Sequence, residues 1–314
     1  MMRIISLLAS ATEIIAALGC LDQLVGRSHE CDYPPEVVQL PLVSTPLIDI
    51  ETSSSQIDAQ IKQLAHEKEQ VQNDALRALS IYRIDTGLLQ QLQPDVIFTQ
   101  TQCEVCAVSE RDVTNALRQI TGLHPHVVSL TPYRLSDVWE DVVRVGKALD
   151  RQQQAECLVH GYQERLTQLK LQTQNTHQSR PRVAVLEWLD PLMAAGNWVP
   201  ELLDYAGGES LFGEIGMHSP WLSWDQLLAA NPDVLILSPC GYSLERTMVD
   251  YHQLEQHPYW SQLRAVQQQR VYAIDGNYYL NRSGPRLVES AELLASAIWH
   301  TGQELHIPGL QHLA

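Results

Sequence analysis

Two short segments in the first third of the chain carry side chains that bind metals or exchange electrons. His29, Glu30 and Cys31 are consecutive, and Cys103 and Cys106 form a Cys-x-x-Cys pair. Two thiolates at this spacing can bind one tetrahedral metal ion, and an imidazole or a further thiolate can complete the coordination. A transition-metal site formed by His29, Cys31, Cys103 and Cys106 is therefore one hypothesis for these residues.

Two other interpretations of the same residues stay open. A redox-active Cys-x-x-Cys pair normally lies where a helix opens after a strand, and Cys103 nearly meets this condition, so a cytosolic thiol redox protein is a second hypothesis. A strong zinc pattern has a second pair of ligands at close spacing, which the His-Glu-Cys run does not supply. We favour the third interpretation, in which the thiols and polar groups face an organic ligand or pack.

Tryptophans are concentrated in the second half of the chain. Trp188 and Trp198 lie in a segment that follows a predicted strand, whereas Trp221 and Trp224 open a predicted helix. Rings in a loop after a strand can cover the flat face of a planar ligand, while rings at the start of a helix usually pack into the core. We therefore expect Trp188 and Trp198 to contact a ligand, and Trp221 and Trp224 to be buried.

Single polar residues in the same half are candidates for hydrogen bonds to a ligand. Glu187 precedes the first of these tryptophans, and His218 lies in a loop before the next predicted helix. Arg282 precedes a predicted helix N-terminus, a position suited to carboxylate or amide oxygens. The sequence carries neither a glycine-rich phosphate loop nor a Gly-x-Ser-x-Gly nucleophile motif, so we predict that the protein is not an enzyme.

The overall charge argues against two classes of partner. The 314 residues contain 21 Lys plus Arg and 37 Asp plus Glu, a formal net charge of -16. A duplex nucleic acid or an anionic membrane surface needs clustered basic residues, so neither is expected as a partner. No stretch approaches the roughly 18 to 20 uninterrupted apolar residues of a membrane span, so membrane insertion is not expected. We expect a monomer.

The N-terminal segment combines features of a lipoprotein signal with features of a folded domain. A basic residue, an apolar run and Cys20 after Gly19 are typical of such a signal. Glu13 within the apolar run and the bulky Leu18 argue against it. We interpret the segment as a buried strand followed by a helix with Ser10 at its N-cap. We accordingly predict a cytoplasmic location, or a periplasmic one if the N-terminus is trimmed.

The order of apolar and helical patterns indicates the fold. Strand-like runs alternate with helices, which predicts βαβ units and mostly parallel sheets. Residues 88–103 are echoed by residues 227–240, each with a helix end, a Pro-Asp pair and an apolar strand. Residues 134–172 contain no proline and have apolar residues spaced by three and four, the pattern of one long helix. The fold class we predict is α/β, with two similar α/β lobes joined by one long backbone α-helix.

Three segments follow from this pattern. We predict an N-terminal α/β lobe over residues 1–132 with a helical insertion at 51–82, a linking helix over 133–175 and a C-terminal α/β lobe over 176–314. Loops after parallel strands converge at one edge of a sheet. A ligand is therefore expected in the cleft between the lobes.

Several segments resemble a known family. The opening segment with "DYPPEV" (32–37), then "PELLDYAGGES" (200–210) and "NYYLNRSGPRL" (277–287), resembles the helical-backbone (class III) substrate-binding proteins of ABC transporters. Within that class the chain is most similar to the cobalamin-binding periplasmic proteins. The resemblance covers most of the chain except the insertion at 51–82.

The resemblance implies transport without catalysis. It implies cobalamin or a related corrinoid as ligand, held in the interlobe cleft for ABC-type uptake or intracellular carriage. No cofactor is required, and an ABC transporter permease is the implied partner. The alternative ligand is a transition metal or a metal chelate (haem, a siderophore, zinc or iron), bound through His29, Cys31, Cys103 and Cys106.

The resemblance also assigns roles to individual residues. Glu30 stands where the family has a ligand-facing aromatic ring, and Tyr278, Tyr279 and Arg282 match its C-terminal ligand-facing loop. Rings would cover the ligand faces, and polar tips would bond its side amides. The predicted ligand-binding set is Glu30, Glu187, Trp188, Trp198, His218, Tyr278, Tyr279 and Arg282.

Two further carboxylates are candidates for partner docking. Glu201 and Asp204 fall near an acidic residue that, in the family, forms a salt bridge with the transporter. A solvated helix face is the alternative interpretation of the same two residues.

Overall fold

The computed structural model of the chain describes residues 1–50, 52–69, 81–101, 108–118, 120, 122–176, 179–299 and 307–313. The chain divides into two compact units. The first comprises Met1–Thr52, Gln56–Pro132 and Asp137–Val159, and the second comprises Ser53–Ser55, Tyr133–Ser136 and His160–Ala314.

The first unit is built on a parallel sheet. The elements up to residue 148 are β1 Ile4–Ser6, α1 Ala9–Ala17, β2 Leu24–Arg27, β3 Ser44–Pro46, α2 Ser54–Glu69, β4 Tyr82–Ile84, α3 Thr86–Leu92, β5 Val96–Gln100, α4 Glu110–Leu117, β6 His126–Leu130 and α5 Leu135–Ala148. The sheet has the order β2-β1-β5-β6 with every neighbour parallel, and β3 and β4 form a separate antiparallel pair. Every residue of β1 and β5 is buried, as expected for parallel strands covered on both faces.

Helix α1 begins earlier than the sequence-based expectation. Leu8 occupies the N-cap without a side-chain hydrogen bond, so the prediction of Ser10 as N-cap is wrong. Ser10 lies inside the helix and is buried. At the other end Gly19 has φ 71°, the left-handed conformation that closes many helices. The predicted helical insertion contains α2, and residues 70–80 lie outside the described residues.

The second unit is a mixed sheet with helices. Helix α6 Gln152–Thr176 begins in the first unit and continues into the second. The elements that follow it are β7 Arg182–Leu189, β8 Leu192–Ala194, α7 Val199–Tyr205, β9 Glu209–Ser210, α8 Trp224–Ala230, β10 Val234–Leu237, α9 Leu244–Leu254, α10 Arg264–Gln267, β11 Val271–Ile274, α11 Leu287–Trp299 and β12 Leu310–His312. The strand order is β12-β11-β10-β7-β8, and β9 pairs with β7. Strands β7, β10 and β11 are parallel, while β8 and β12 are antiparallel to their neighbours. Two α/β units with mostly parallel sheets confirm the predicted fold class.

The predicted single backbone helix is interrupted. Helix α5 ends at Ala148 and α6 begins at Gln152, with Asp150 between them at φ 55°. Both Leu149 N and Arg151 N donate to the carbonyl of Gly146, which closes α5. A Cβ at Gly146 would lie 2.4 Å from the Ala155 Cβ, so glycine allows the first turn of α6 to pack against α5. The prediction of one continuous helix is therefore wrong, because a left-handed residue separates two helices.

The two halves of the sequence echo use the same local structure. Helix α3 is followed by Gln93 at φ 42°, and helix α8 is followed by Asn231 at φ 46°. Each left-handed residue ends its helix and directs the chain through a Pro-Asp pair into a buried strand, β5 or β10. The repeat seen in the sequence is therefore a repeat of helix end and strand start.

The aspartate of each Pro-Asp pair caps the neighbouring strand. Asp95 accepts the Arg3 N–H at 2.7 Å, and Asp233 accepts the Arg182 N–H at 2.9 Å. In return the Asp95 and Asp233 amides donate to the carbonyls of the same two arginines, each at 2.8 Å. Asp233 also pairs with Arg264 at 2.6 Å, and its pKa is lowered by these hydrogen bonds and charges despite partial burial.

Among the described residues, no helix combines the length and apolarity that a bilayer crossing requires.

Removal of the strand cap should destabilise the protein. We expect Asp233→Ala to lower the free energy of unfolding by about 1–2 kcal/mol, because the Arg182 N–H and the Arg264 guanidinium lose their acceptor. Glu209→Ala, an exposed carboxylate on β9 of the same sheet, serves as the control and should change it by less than about 0.5 kcal/mol. Urea unfolding followed by circular dichroism measures both, and equal losses would contradict the capping role.

Candidate functional site

In the second unit, β7, β10 and β11 are parallel. The residues at and just after their carboxyl ends therefore lie at one edge of the sheet. We call these residues, with the loop residues that contact them, the carboxyl-end cluster. It consists of Glu187, Trp188, His218, Ser219, Tyr242, Arg246, Asp275, Tyr278, Arg282 and Arg286.

Glu187 and Trp188 lie at an irregularity of β7. The pairing of β7 with β8 shifts register between Leu186 and Trp188. Such irregularities interrupt the alternation of side chains and redirect the residues concerned. On its other side β7 remains in register with β10, and the Cys240 N–H donates to the carbonyl of Glu187 at 3.1 Å.

The carboxyl group of Glu187 is desolvated although part of the residue is accessible. Burial raises its pKa to about 7, and a hydrogen bond with the Ser219 side chain and the charge of His218 oppose this rise. Ser219 itself is buried, and its hydroxyl accepts the Gly196 N–H at 3.1 Å. Near neutral pH this carboxyl group can therefore act as a donor or as an acceptor of hydrogen bonds.

The loop that carries Ser219 is held by close backbone contact. Residues 214–219, which we call the 214–219 loop, pass beside Gly196, where an added Cβ would lie 2.6 Å from the Met217 carbonyl. The Asn197 N–H donates to that carbonyl at 2.7 Å. Glycine at 196 therefore allows the loop to bring Ser219 onto Glu187.

Trp188 is one ring of an ordered stack. Its ring meets that of Tyr242 edge-on, with centroids 5.6 Å apart and planes at 67°. Tyr242 is only 1% exposed, and the Arg246 guanidinium carbon lies 3.7 Å from its ring centroid. Trp188 itself is half-buried, and its contact with a ligand stays a prediction. Tyr242 and Arg246 were not predicted, because the contact of Tyr242 with Trp188 joins segments that are far apart in the sequence.

Buried arginines surround Tyr278. Arg282 and Arg286 are 6% and 8% exposed, and their guanidinium carbons lie 5.4 and 4.8 Å from the Tyr278 ring centroid. Arg282 also donates to Asn277 Oδ1 at 2.8 Å. Helix α11 begins only at Leu287, so Arg282 lies in the loop before the helix, as predicted. Arg286 was not among the predicted residues.

The turn that carries Tyr278 is organised by Asp275. One carboxylate oxygen accepts the backbone N–H groups of Asn277 at 3.0 Å and Tyr278 at 2.9 Å. Burial raises the pKa of Asp275, whereas these hydrogen bonds and the charge of Arg282 lower it. The Tyr279 ring packs against Gly309, where an added Cβ would lie only 2.2 Å from the ring.

Two tryptophan predictions are reversed. Trp198 is only 6% exposed and its indole N–H donates to the Leu280 carbonyl at 2.8 Å, so it packs inside the unit and presents no ring face to a ligand. Trp221 was expected in the core, yet it is 57% exposed, and its backbone forms an isolated β-bridge with Met193 of the edge strand β8. Trp224 is half-buried and stacks on His257 with centroids 3.8 Å apart.

The two docking candidates are engaged within the chain. Glu201 accepts the Leu135 N–H, the first residue of α5, at 2.7 Å. Asp204 forms ion pairs with Lys170 at 2.6 Å and Arg180 at 2.8 Å, which together lower its pKa although burial opposes them. The structure thus uses both carboxylates to hold its own elements, and their role in partner docking stays a prediction.

Of the four predicted metal ligands of the first unit, His29 and Cys31 lie among the described residues. Cys31 is fully buried, with its thiol near the Ser28 hydroxyl at 3.2 Å and the Ser6 carbonyl at 3.6 Å, and burial raises its pKa. Cys103 and Cys106 lie outside the described residues. In the part of the chain that the structure describes, no three His, Cys, Asp or Glu side chains are grouped to hold a metal ion. Cys31 is therefore a core residue, and the metal hypothesis for the four residues stays a prediction.

His29 and Glu30 form a partly buried pair beside Cys31. Their side chains are 10% and 32% exposed, and His29 Nε2 lies 3.8 Å from the Glu30 carboxylate. Burial, with a smaller effect of the Arg27 charge, lowers the pKa of His29 to about 4, so its imidazole is neutral at neutral pH. The His29 ring packs 5.0 Å from the Tyr82 ring. Glu30 remains a partly exposed polar group at the carboxyl end of β2.

The model of the periplasmic binding protein family matches residues 4–278. The chain is 24% identical to a vitamin B12-binding protein of Vibrio cholerae serotype O1 over 290 residues, which cover 92% of the chain and 86% of the relative. It is 22% identical over 304 residues to an uncharacterized ABC transporter substrate-binding lipoprotein of Bacillus subtilis, covering 95% and 80%. A periplasmic heme binding protein of Pseudomonas aeruginosa has a similar fold, with a TM-score of 0.70, 20% identity and coverage of 98% and 96%.

These comparisons correct the predicted location. The matched family consists of periplasmic binding proteins, and the relatives include a lipoprotein and a periplasmic protein. The prediction of a cytoplasmic location is therefore wrong. It depended on Glu13 and Leu18 in the N-terminal segment, and both are buried residues of α1 and its end.

The raised pKa of Glu187 should make stability depend on pH. Because its folded-state pKa lies above the unfolded value of about 4.3, the folded protein binds more protons in this range, and this contribution to stability falls as pH rises towards 7. As the pH rises from 5 to 8, we expect the free energy of unfolding of Glu187→Gln to increase relative to that of the wild type by on the order of 1–3 kcal/mol. Burial also raises the pKa of Asp141 to about 7. Because Asp141 is present in both proteins, its contribution to the difference in stability cancels.

Urea unfolding at both pH values measures this difference. Glu209→Gln is the matched control, because that carboxylate is exposed, and its difference from the wild type should be the same at both pH values. A pH-independent difference for Glu187→Gln would show that its carboxyl group is ionised in the folded protein.

Proposed function

We propose that this chain, which belongs to the periplasmic binding protein family, carries cobalamin or a related corrinoid. Members of this family are substrate-binding proteins of ABC transporters and are not enzymes. The chain is accordingly a substrate-binding protein, and its ligand is the open question. The vitamin B12-binding relative is one support for a corrinoid.

The observation that carries the proposal is the mixture of rings and buried polar groups in the carboxyl-end cluster. A corrin presents a broad apolar face and a rim of amides, so it needs flat contact area together with hydrogen-bond donors and acceptors. Trp188 and Tyr278 are half-buried rings, and Trp221 is exposed. Arg282 supplies donors, and Glu187 with its pKa near 7 can donate to an amide oxygen or accept from an amide N–H.

The Trp188 and Tyr278 rings are ordered by contacts within the protein itself. Tyr242 lies between Trp188 and Arg246, and guanidinium groups lie beside Tyr278. Side chains ordered in this way lose little further freedom on binding, which favours affinity for a rigid, planar ligand.

Haem is the second candidate ligand. The observation that favours it is the pair of buried guanidinium groups, Arg282 and Arg286, because guanidinium binds carboxylates with two parallel hydrogen bonds and haem carries two carboxylates. The haem-binding protein of similar fold is a further support.

Calorimetric titration of the protein with cyanocobalamin tests the proposal. We expect saturable binding, and we expect Trp188→Ala to weaken it by roughly tenfold, since a lost ring contact costs about 0.5–1.5 kcal/mol beyond its area. Trp299→Ala is the control, because Trp299 packs beside Gly207, near the start of β7, and should leave the affinity unchanged. Circular dichroism verifies that both variants fold.

A parallel titration with hemin separates the two ligands. Binding of hemin without binding of cyanocobalamin would replace the corrinoid by haem. Absence of binding for both macrocycles would reject the proposal and its alternative.

A further inference from the structure

His218 is presented at the edge of the carboxyl-end cluster by the 214–219 loop. The backbone contacts at Gly196 fix this loop, and Ser219, the next residue, is buried. His218 itself is exposed and lies within electrostatic range of the desolvated carboxyl group of Glu187. The imidazole is therefore positioned by a rigid loop and accessible from outside.

The hydrogen bond of the imidazole selects one tautomer. His218 Nδ1 lies 3.0 Å from the carbonyl oxygen of Ser219. A carbonyl oxygen only accepts, so Nδ1 carries a proton, and in the neutral imidazole the lone pair is on Nε2. Histidines that bind metals have this arrangement, in which the second ring nitrogen donates to a backbone carbonyl or a carboxylate.

The residues around His218 expose apolar surface. Met217 and Trp221 are each 57% exposed, and Ile215 is 48% exposed. A soluble protein rarely groups such side chains without a function. A nitrogen donor flanked by apolar side chains suits a ligand with apolar faces and a metal at its centre.

The other described histidines of the second unit use their rings within the fold. They are His160 with Glu164, His252 with Glu255, His257 with Trp224 and His312 with the carbonyl of Gln269. These contacts explain the ring positions of the four histidines.

We propose that His218 Nε2 is an axial ligand to the metal of a planar metallo-macrocycle. Its lone pair would displace an axial water from the cobalt of a corrinoid or from the iron of haem, with no change of oxidation state. Ser219 would support it twice, because its carbonyl holds Nδ1–H and its hydroxyl bonds the Glu187 carboxyl group. This inference rests on the proposed function and names the atom that would recognise the metal.

Absorption spectroscopy with macrocycles that have a replaceable axial water tests the inference. Diaquocobinamide and hemin are titrated separately into the wild-type protein. We expect the absorption spectrum of the macrocycle that His218 coordinates to shift to that of a nitrogen-coordinated complex, which shows whether the metal is cobalt or iron. His218→Ala should bind that macrocycle at least about tenfold more weakly and without the shift. Free imidazole added to the His218→Ala complex should restore the shift.

Two controls separate coordination from general effects. His252→Ala removes an exposed imidazole of the same unit and should behave as the wild type. Dicyanocobinamide, whose cobalt carries cyanide on both axial positions, should bind the wild type and His218→Ala equally. A tenfold loss with this probe would mean that His218 contributes packing and would overturn the inference.

The remaining outcomes are also decisive. Binding of both macrocycles without a spectral shift, or a shift that survives in His218→Ala, would overturn the role of His218 and leave the proposed function standing. If neither diaquocobinamide nor hemin binds the wild type, the proposed function fails together with the inference.

Discussion

The carboxyl-end cluster depends on the burial of one carboxyl group. Glu187 loses contact with water, which penalises its charged form and requires a hydrogen-bonding partner. Ser219 is that partner, and it reaches Glu187 because the 214–219 loop lies against Gly196. The same loop presents His218 and its apolar neighbours. A single close backbone approach thus determines where the polar and apolar groups of the cluster are placed.

The rings of the cluster are ordered by guanidinium groups. Arg246 stacks on the buried ring of Tyr242, which in turn meets Trp188, and Arg286 lies beside Tyr278. Cation–π contacts of this kind are worth most where water is excluded. The fold therefore supplies the ordering of the rings, so that a planar ligand can bind without immobilising them itself. This property suits a binding protein, which stabilises no transition state.

Local sequence was sufficient to predict much of the fold. Alternating apolar and helical patterns predict α/β units, and the repeated Pro-Asp pair marks the start of a central strand in each half. The capping roles of Asp95 and Asp233 explain why that pair recurs, since each carboxylate satisfies the first amide of a neighbouring strand. The family segments could also be recognised without coordinates, whereas Trp188, predicted in a loop after a strand, lies within β7. The other rings of the site could not be assigned with the same success.

Only the tertiary structure decided which side chains face outward. Trp198 and Trp221 have the reverse of their predicted burial, because one donates to a distant carbonyl in the interior and the other lies exposed at a sheet edge. Cys31 resembles a metal ligand by its neighbours, and its burial makes it a core residue. The sequence by itself determined the elements and their order, because periodicity and turn residues act over a few positions. Burial, ring stacking and the tautomer of His218 depend on contacts between loops and strands, which no local pattern specifies.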